Sequence, residues 1–262
     1  MPYLELAPDY KLFYAVDDST DAWTHPATVV FVHGFAETTE AWRAWVPHLA
    51  RFYRLVRIDQ RGFGKSGPVP DNFAFTTELL VDDLIRVINH VSKEPVHIVC
   101  GKSAGISVIK LAVTRPDLVK TITLGSAPLT PPQSQGWIEH MEQHGMRSWA
   151  RSTMPARLGS KMPPRGTDWW VDMMGSTALS TAKAYLGWAS KIDGKADLEH
   201  IACPTLVLTT QSPRRTQAER EAYRTLLKNA EIVEIAVDAM YAGGADPDSC
   251  ARATLEFLNR HS

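Results

Sequence analysis

The thirteen residues from His97 to Ile109 constrain the fold more than any others. An apolar run ends at Gly101 and an amphipathic pattern starts straight after Ser103. Between them lies Gly-x-Ser-x-Gly, at Gly101, Ser103 and Gly105. A strand that turns sharply into a helix forces one residue of the turn into a strained backbone conformation. Small residues two positions to either side let the neighbouring elements close in. The spacing therefore predicts a strained, outward-projecting Ser103 at the N-terminus of a helix, where free N–H groups can stabilise an oxyanion.

The rest of the chain repeats this alternation. Short segments at 4–6 and 12–16 flank the turn-like Pro8-Asp9 and read as an opening hairpin. The run Thr28-Val29-Val30-Phe31-Val32 is continuously apolar, as expected of a strand buried on both faces. Further strands are expected at 54–58, 119–124, 205–210 and 231–237, with helices over 39–51, 75–91, 217–228 and 247–260. Strands alternating with helices imply a mostly parallel eight-stranded sheet with helices on both faces and an antiparallel first pair. From residue 127 to about 200 the alternation stops, and the segment holds five of the eight tryptophans. It reads as a helical insertion after the sixth strand, with 1–126 and 201–262 forming the core.

The 262 residues suit one α/β domain, and a formal net charge of −1 gives no reason to expect nucleic acid as a partner. Cys100, Cys203 and Cys250 are far apart and read as core thiols, with neither a disulfide framework nor a metal cluster. No stretch approaches the roughly 18 apolar residues of a membrane span, so the expectation is a cytoplasmic protein with no membrane partner. A homodimer is left open.

Three segments carry a family resemblance: His33-Gly34-Phe35, the loop Asp59-Gln60-Arg61-Gly62-Phe63-Gly64-Lys65-Ser66, and the elbow Gly101 to Gly105. Their order and spacing resemble the α/β-hydrolase superfamily over essentially the whole chain. Within it the chain is similar to the small bacterial esterases and enol-lactonases, such as the 3-oxoadipate enol-lactonase group. The resemblance implies an α/β-hydrolase fold in which 127–200 forms a helical cap over an apolar pocket. It also implies that Ser103 is the nucleophile and that the N–H groups of Phe35 and Ala104 form the oxyanion hole. Trp137 and Trp149 are candidates for the pocket wall. The implied activity is hydrolysis of a small apolar carboxylic ester or lactone, without a cofactor or metal.

The family's nucleophile–acid–histidine order breaks down after Ser103. A serine hydroxyl needs a base, and the base needs an orienting carboxylate. The expected acid position reads Thr210-Gln211-Ser212-Pro213, and the other known position reads Gly125-Ser126-Ala127; neither holds a carboxylate. The histidine is expected in the loop 238–247, where Met240 or Tyr241 takes its place. Of the nine histidines only His261 follows the last strand, at the far end of the closing helix. Three explanations stay open: a divergent member with another chemistry, a variant whose loop was rewritten, or a base from the cap such as His140 or His144.

The remaining candidates each carry two readings. Lys102 is either half of a serine–lysine dyad or a contact with the cap. His33 is a displaced base or a structural histidine that holds its loop. Tyr241, with an ordinary pKa of about 10, is a poor base at neutral pH; it is a proton donor, a substrate contact or an aromatic filler. Gly243-Gly244 suggests a mobile or widened loop beside it. A phosphate-binding reading of Gly64-Lys65-Ser66 or of Gly101-Lys102-Ser103 fails. Asp59 and Val96 stand where the first glycine of that motif is required. Besides hydrolysis, two functions remain: a lyase, isomerase or cyclase that uses the oxyanion site, or a non-catalytic ligand-binding relative.

Overall fold

A computed structural model describes residues 2–132, 134–212 and 217–262. The opening strands β1 (Tyr3–Ala7) and β2 (Tyr10–Asp17) form the expected antiparallel hairpin. β3 (Thr28–Val32) leads into a 3-10 turn over Thr39–Trp42 and the single turn α1 (Val46–Leu49). This replaces the longer helix expected over 39–51. Pro47 is tolerated only in a helix's first turn, so no helix can run through it from Thr39. β4 (Arg54–Ile58) and α2 (Thr77–Val91) follow, and the Thr76 hydroxyl caps α2 by accepting from Leu79 N at 3.1 Å.

β5 (Val96–Gly101), α3 (Ala104–Thr114) and β6 (Val119–Gly125) then carry the elbow. Between β6 and β7 the chain makes three cap helices: α4 (Gln135–Leu158, bent at Gly145, φ 81°), α5 (Pro164–Gly175) and α6 (Leu179–Ala189). β7 (Thr205–Thr210), α7 (Gln217–Leu226), β8 (Ala230–Ile235), the single turn α8 (Ala242–Ala245) and α9 (Pro247–Arg260) complete the chain.

The sheet order is β1-β2-β4-β3-β5-β6-β7-β8, and every pairing from β4 to β8 is parallel. β3, β5 and β7 are buried at every residue, as central strands covered by helices on both faces are. One face packs on α2, α3 and α7 through Leu84, Ile88, Val108, Leu111 and Tyr223. The other packs on α1 and α9 through Trp42, Trp45, Leu49, Phe257 and Leu258. A third, aromatic-rich core lies between the cap and the C-terminal ends of the central strands, where Phe35, Phe63, Trp149, Tyr185 and Tyr241 meet. Cys100 and Cys250 are buried free thiols, and Cys203 is half-buried. Among the described residues no helix is long and apolar enough to cross a membrane.

Candidate active site

The elbow joins β5 to α3 through Lys102 and Ser103 alone. The strained conformation falls on Lys102 (φ 50°), whereas Ser103 (φ −61°, ψ −20°) is already helical and stands at the N-cap position of α3 without a side-chain capping bond. The expectation of a strained Ser103 is therefore corrected by one residue. The reason lies in the packing. Cys100 and Ala104, the small residues two positions either side of Lys102, are both fully buried. The two motif glycines serve their neighbours instead. A Cβ on Gly101 would lie 2.9 Å from the Tyr241 hydroxyl, and one on Gly105 would lie 2.5 Å from Ala127 Cβ. Backbone bonds from Lys102 N to Gly125 O (2.9 Å) and from Gly105 N to Lys102 O (3.0 Å) hold the left-handed residue in place.

From this apex the Lys102 side chain crosses the loop after β3. A Cβ on Gly34 would lie 2.7 Å from Lys102 Cε, so glycine is needed there for close approach. The ammonium forms a hydrogen-bonded ion pair with Glu37 Oε1 and lies 4.6 Å from the centre of the Tyr241 ring. Glu37 has no exposed surface, and its Oε2 accepts from Gly34 N at 2.9 Å. Glu37 was not among the residues singled out from the sequence. Its only advance signal is a carboxylate three residues beyond Gly34 in an otherwise apolar turn. Lys102 thus meets this loop and the Tyr241 loop.

Ser103 is buried, and its Oγ lies 3.0 Å from the Tyr185 hydroxyl of α6. Burial raises the Tyr185 phenol well above its ordinary pKa, so it stays protonated and cannot serve as base. Tyr185 stacks on Phe35 at 5.5 Å, and no periodic signal in the cap marked it. The Phe35 N–H has no acceptor among the described residues. Ala104, as the first residue of α3, has no intrahelical acceptor.

Tyr241 occupies the expected histidine position and is almost fully buried. Burial first, then the nearby Glu37, raises its phenol well above the ordinary value. Its hydroxyl has no hydrogen-bond partner among the described residues. Gly243 and Gly244 do not widen the loop. Both pack on the Tyr241 ring inside the turn α8, and Gly243 O accepts from Trp45 Nε1 at 3.0 Å.

The remaining candidates separate. His33 holds its loop: Nδ1–H donates to Gly34 O (2.8 Å) while Nε2 accepts from Gln60 N (3.0 Å), and burial lowers its pKa. Ser126 (φ 55°) accepts from Ala242 N at 3.1 Å and so fastens the Tyr241 turn. Gln211 is exposed, and its Nε2 donates to Glu234 Oε1 at 2.9 Å. Pro213, also in the expected acid segment, lies outside the described residues. Met240 faces the cap, where it lines a cavity of about 220 Å³ with Trp137, His140, Trp149 and Arg157. His140 bonds Ser148 at 3.0 Å and His144 is exposed, so neither is placed on Ser103. A larger cleft of about 630 Å³ runs between cap and core along Phe75, Ile106, Lys110 and Trp188. Phe75 packs on Tyr185 at 5.5 Å, so Tyr185 stands between this cleft and Ser103. In the 59–66 loop, Asp59 Oδ2 accepts from Lys65 N at 2.7 Å and fills the place a phosphate would need.

Comparison with known proteins agrees with the fold. An epoxide hydrolase of Rattus norvegicus is 26% identical over 134 residues, which are 51% of this chain and 23% of that protein. The chain thus spans less than a quarter of that relative. The solved enol-lactonase of Burkholderia xenovorans superposes with a TM-score of 0.87 at 18% identity, covering 98% of this chain and 100% of that one. An esterase of Thermogutta terrifontis superposes with a TM-score of 0.85 at 22% identity, covering 98% and 97%. The model of the α/β hydrolase fold family matches residues 27–234, and the chain belongs to that family.

Proposed function

We propose that the protein hydrolyses a small apolar carboxylic ester or lactone at the elbow. Ser103 Oγ attacks the carbonyl carbon, and the Phe35 and Ala104 N–H groups hold the oxyanion. The observation that carries this reading is Ser103 at the start of α3 with its Oγ 3.0 Å from Tyr185 of the aromatic cap. Membership of the family and the likeness to an enol-lactonase and an esterase support the reaction class. With no imidazole bonded to Ser103 among the described residues, the acyl-enzyme should accumulate. In stopped-flow assays with short-chain p-nitrophenyl esters, the protein should give a stoichiometric burst that Ser103→Ala abolishes. Tyr241→His should turn over faster. No burst, with Tyr241→His equally inert, would overturn the reading.

One observation favours a second reading. The residue at the apex is Lys102, paired with Glu37, and an amine–carboxylate pair beside oxyanion donors suits carbonyl chemistry that forms no acyl-enzyme.

A further inference from the structure

We infer that Lys102 is an imine-forming lysine that condenses with the carbonyl carbon of a small apolar ketone or aldehyde. The inference rests on the second reading above and is independent of Ser103.

The fold puts an amine where this architecture concentrates its reactivity. Lys102 takes the left-handed turn conformation, and its chain is threaded across Gly34, where any side chain would block it. Glu37 is anchored through Oε2 to Gly34 N, which leaves Oε1 facing the amine. The pair is almost entirely withdrawn from water. The amine lies 4.6 Å from the centre of the Tyr241 ring, whose hydroxyl is buried against Gly101 with no partner among the described residues. A buried donor left unbonded costs roughly 1–3 kcal/mol, a cost that a ligand oxygen would remove. The Tyr241 ring over which the amine lies belongs to the aromatic core of Phe35, Phe63, Trp149 and Tyr185. They select for a small apolar substrate and exclude the water that would hydrolyse an imine.

The step balances within these groups. The ammonium passes one proton to Glu37, and the freed Nζ lone pair adds to the carbonyl carbon. A second nitrogen proton moves to the carbonyl oxygen, giving a carbinolamine to whose oxygen the Tyr241 O–H can donate. Glu37 returns its proton to the carbinolamine hydroxyl, which leaves as water, and the C=N bond forms. The iminium draws electrons from the adjacent carbon, so Glu37 can remove a proton there to give the enamine. Reversal restores the ketone, with one α-hydrogen exchanged for a solvent hydrogen.

The test treats the full chain with butanone and sodium borohydride and maps the reduced adduct by peptide mass spectrometry. The expected result is a single adduct on Lys102, retained in Ser103→Ala and absent in Lys102→Arg. In deuterium oxide, NMR should show exchange of butanone α-protons that Lys102→Arg abolishes and Glu37→Gln slows roughly a hundredfold. Wild-type protein that leaves Lys102 unlabelled overturns the inference, whether or not Lys102→Arg folds. Exchange unchanged in a folded Lys102→Arg does the same. The ester burst is scored separately at Ser103, so failure of either reaction is distinguishable from failure of the other.

Discussion

At Lys102, Ser103 and Tyr241, a displacement of one residue decides what the site presents. A left-handed conformation costs a non-glycine residue roughly 1–2 kcal/mol, which the structure spends on placing an amine at the apex. Ser103 keeps ordinary helical angles and a hydroxyl partner in Tyr185. Tyr241 fills the space of an imidazole with a larger ring, and glycines at 101, 243 and 244 make room for it. Because its hydroxyl lacks a partner, Tyr241→Phe should leave stability unchanged or raise it by about 1 kcal/mol, read from the urea midpoint. A clear loss of stability would show that the hydroxyl is bonded in the folded protein.

Among the elements, the cap is fastened to the core on two sides. On one side the Thr181 hydroxyl accepts from Val69 N at 3.1 Å, Ser180 donates to Val69 O at 2.7 Å, and Trp188 Nε1 donates to Thr77 at 3.1 Å. On the other, the last turn of α4 offers Ala156 O and Arg157 O to Met240 N (2.9 Å) and Tyr241 N (3.0 Å). The loop that carries Tyr241 is therefore hydrogen-bonded to the cap. Thr181→Val keeps the shape and leaves the Val69 N–H without its acceptor, at a cost of about 1–2 kcal/mol. Amide hydrogen exchange should then quicken in α6 and in residues 67–76 while β3 and β5 stay protected. Uniform quickening would mean that the cap is not a separable unit.

For the whole molecule, the parallel sheet buries His97 on β5, where Nδ1 lies 2.8 Å from the Thr121 hydroxyl and burial pushes the pKa from 6.5 down to about 4. The folded state thus binds this proton less readily than the unfolded chain. The stabilising contribution is complete above pH 6.5 and is lost as pH falls toward 4, about 3 kcal/mol in all. Urea midpoints measured across that interval should fall, and His97→Gln should flatten the dependence; an unchanged slope would contradict a buried neutral imidazole. The elements themselves were legible in the chain. The continuous apolar run at 28–32 reads as a strand covered on both faces, and the change from strand to helix around Gly101 dictates the elbow. The missing acid and histidine are equally plain, because an absent residue type needs no geometry. Pro47, by contrast, stood in view and still broke a helix that the apolar spacing of Trp42, Trp45 and Leu49 had suggested. What the linear pattern could not contain is which residue of a tight turn takes the strain, since packing against the loops of other strands, at Gly34, Ala127 and Tyr241, settles it. Nor could it show that Glu37, 65 residues before Lys102, would meet that amine. Local periodicity reports how each segment buries its own face, but the pairing of polar groups inside the core depends on the three-dimensional approach of loops, which only the tertiary fold decides.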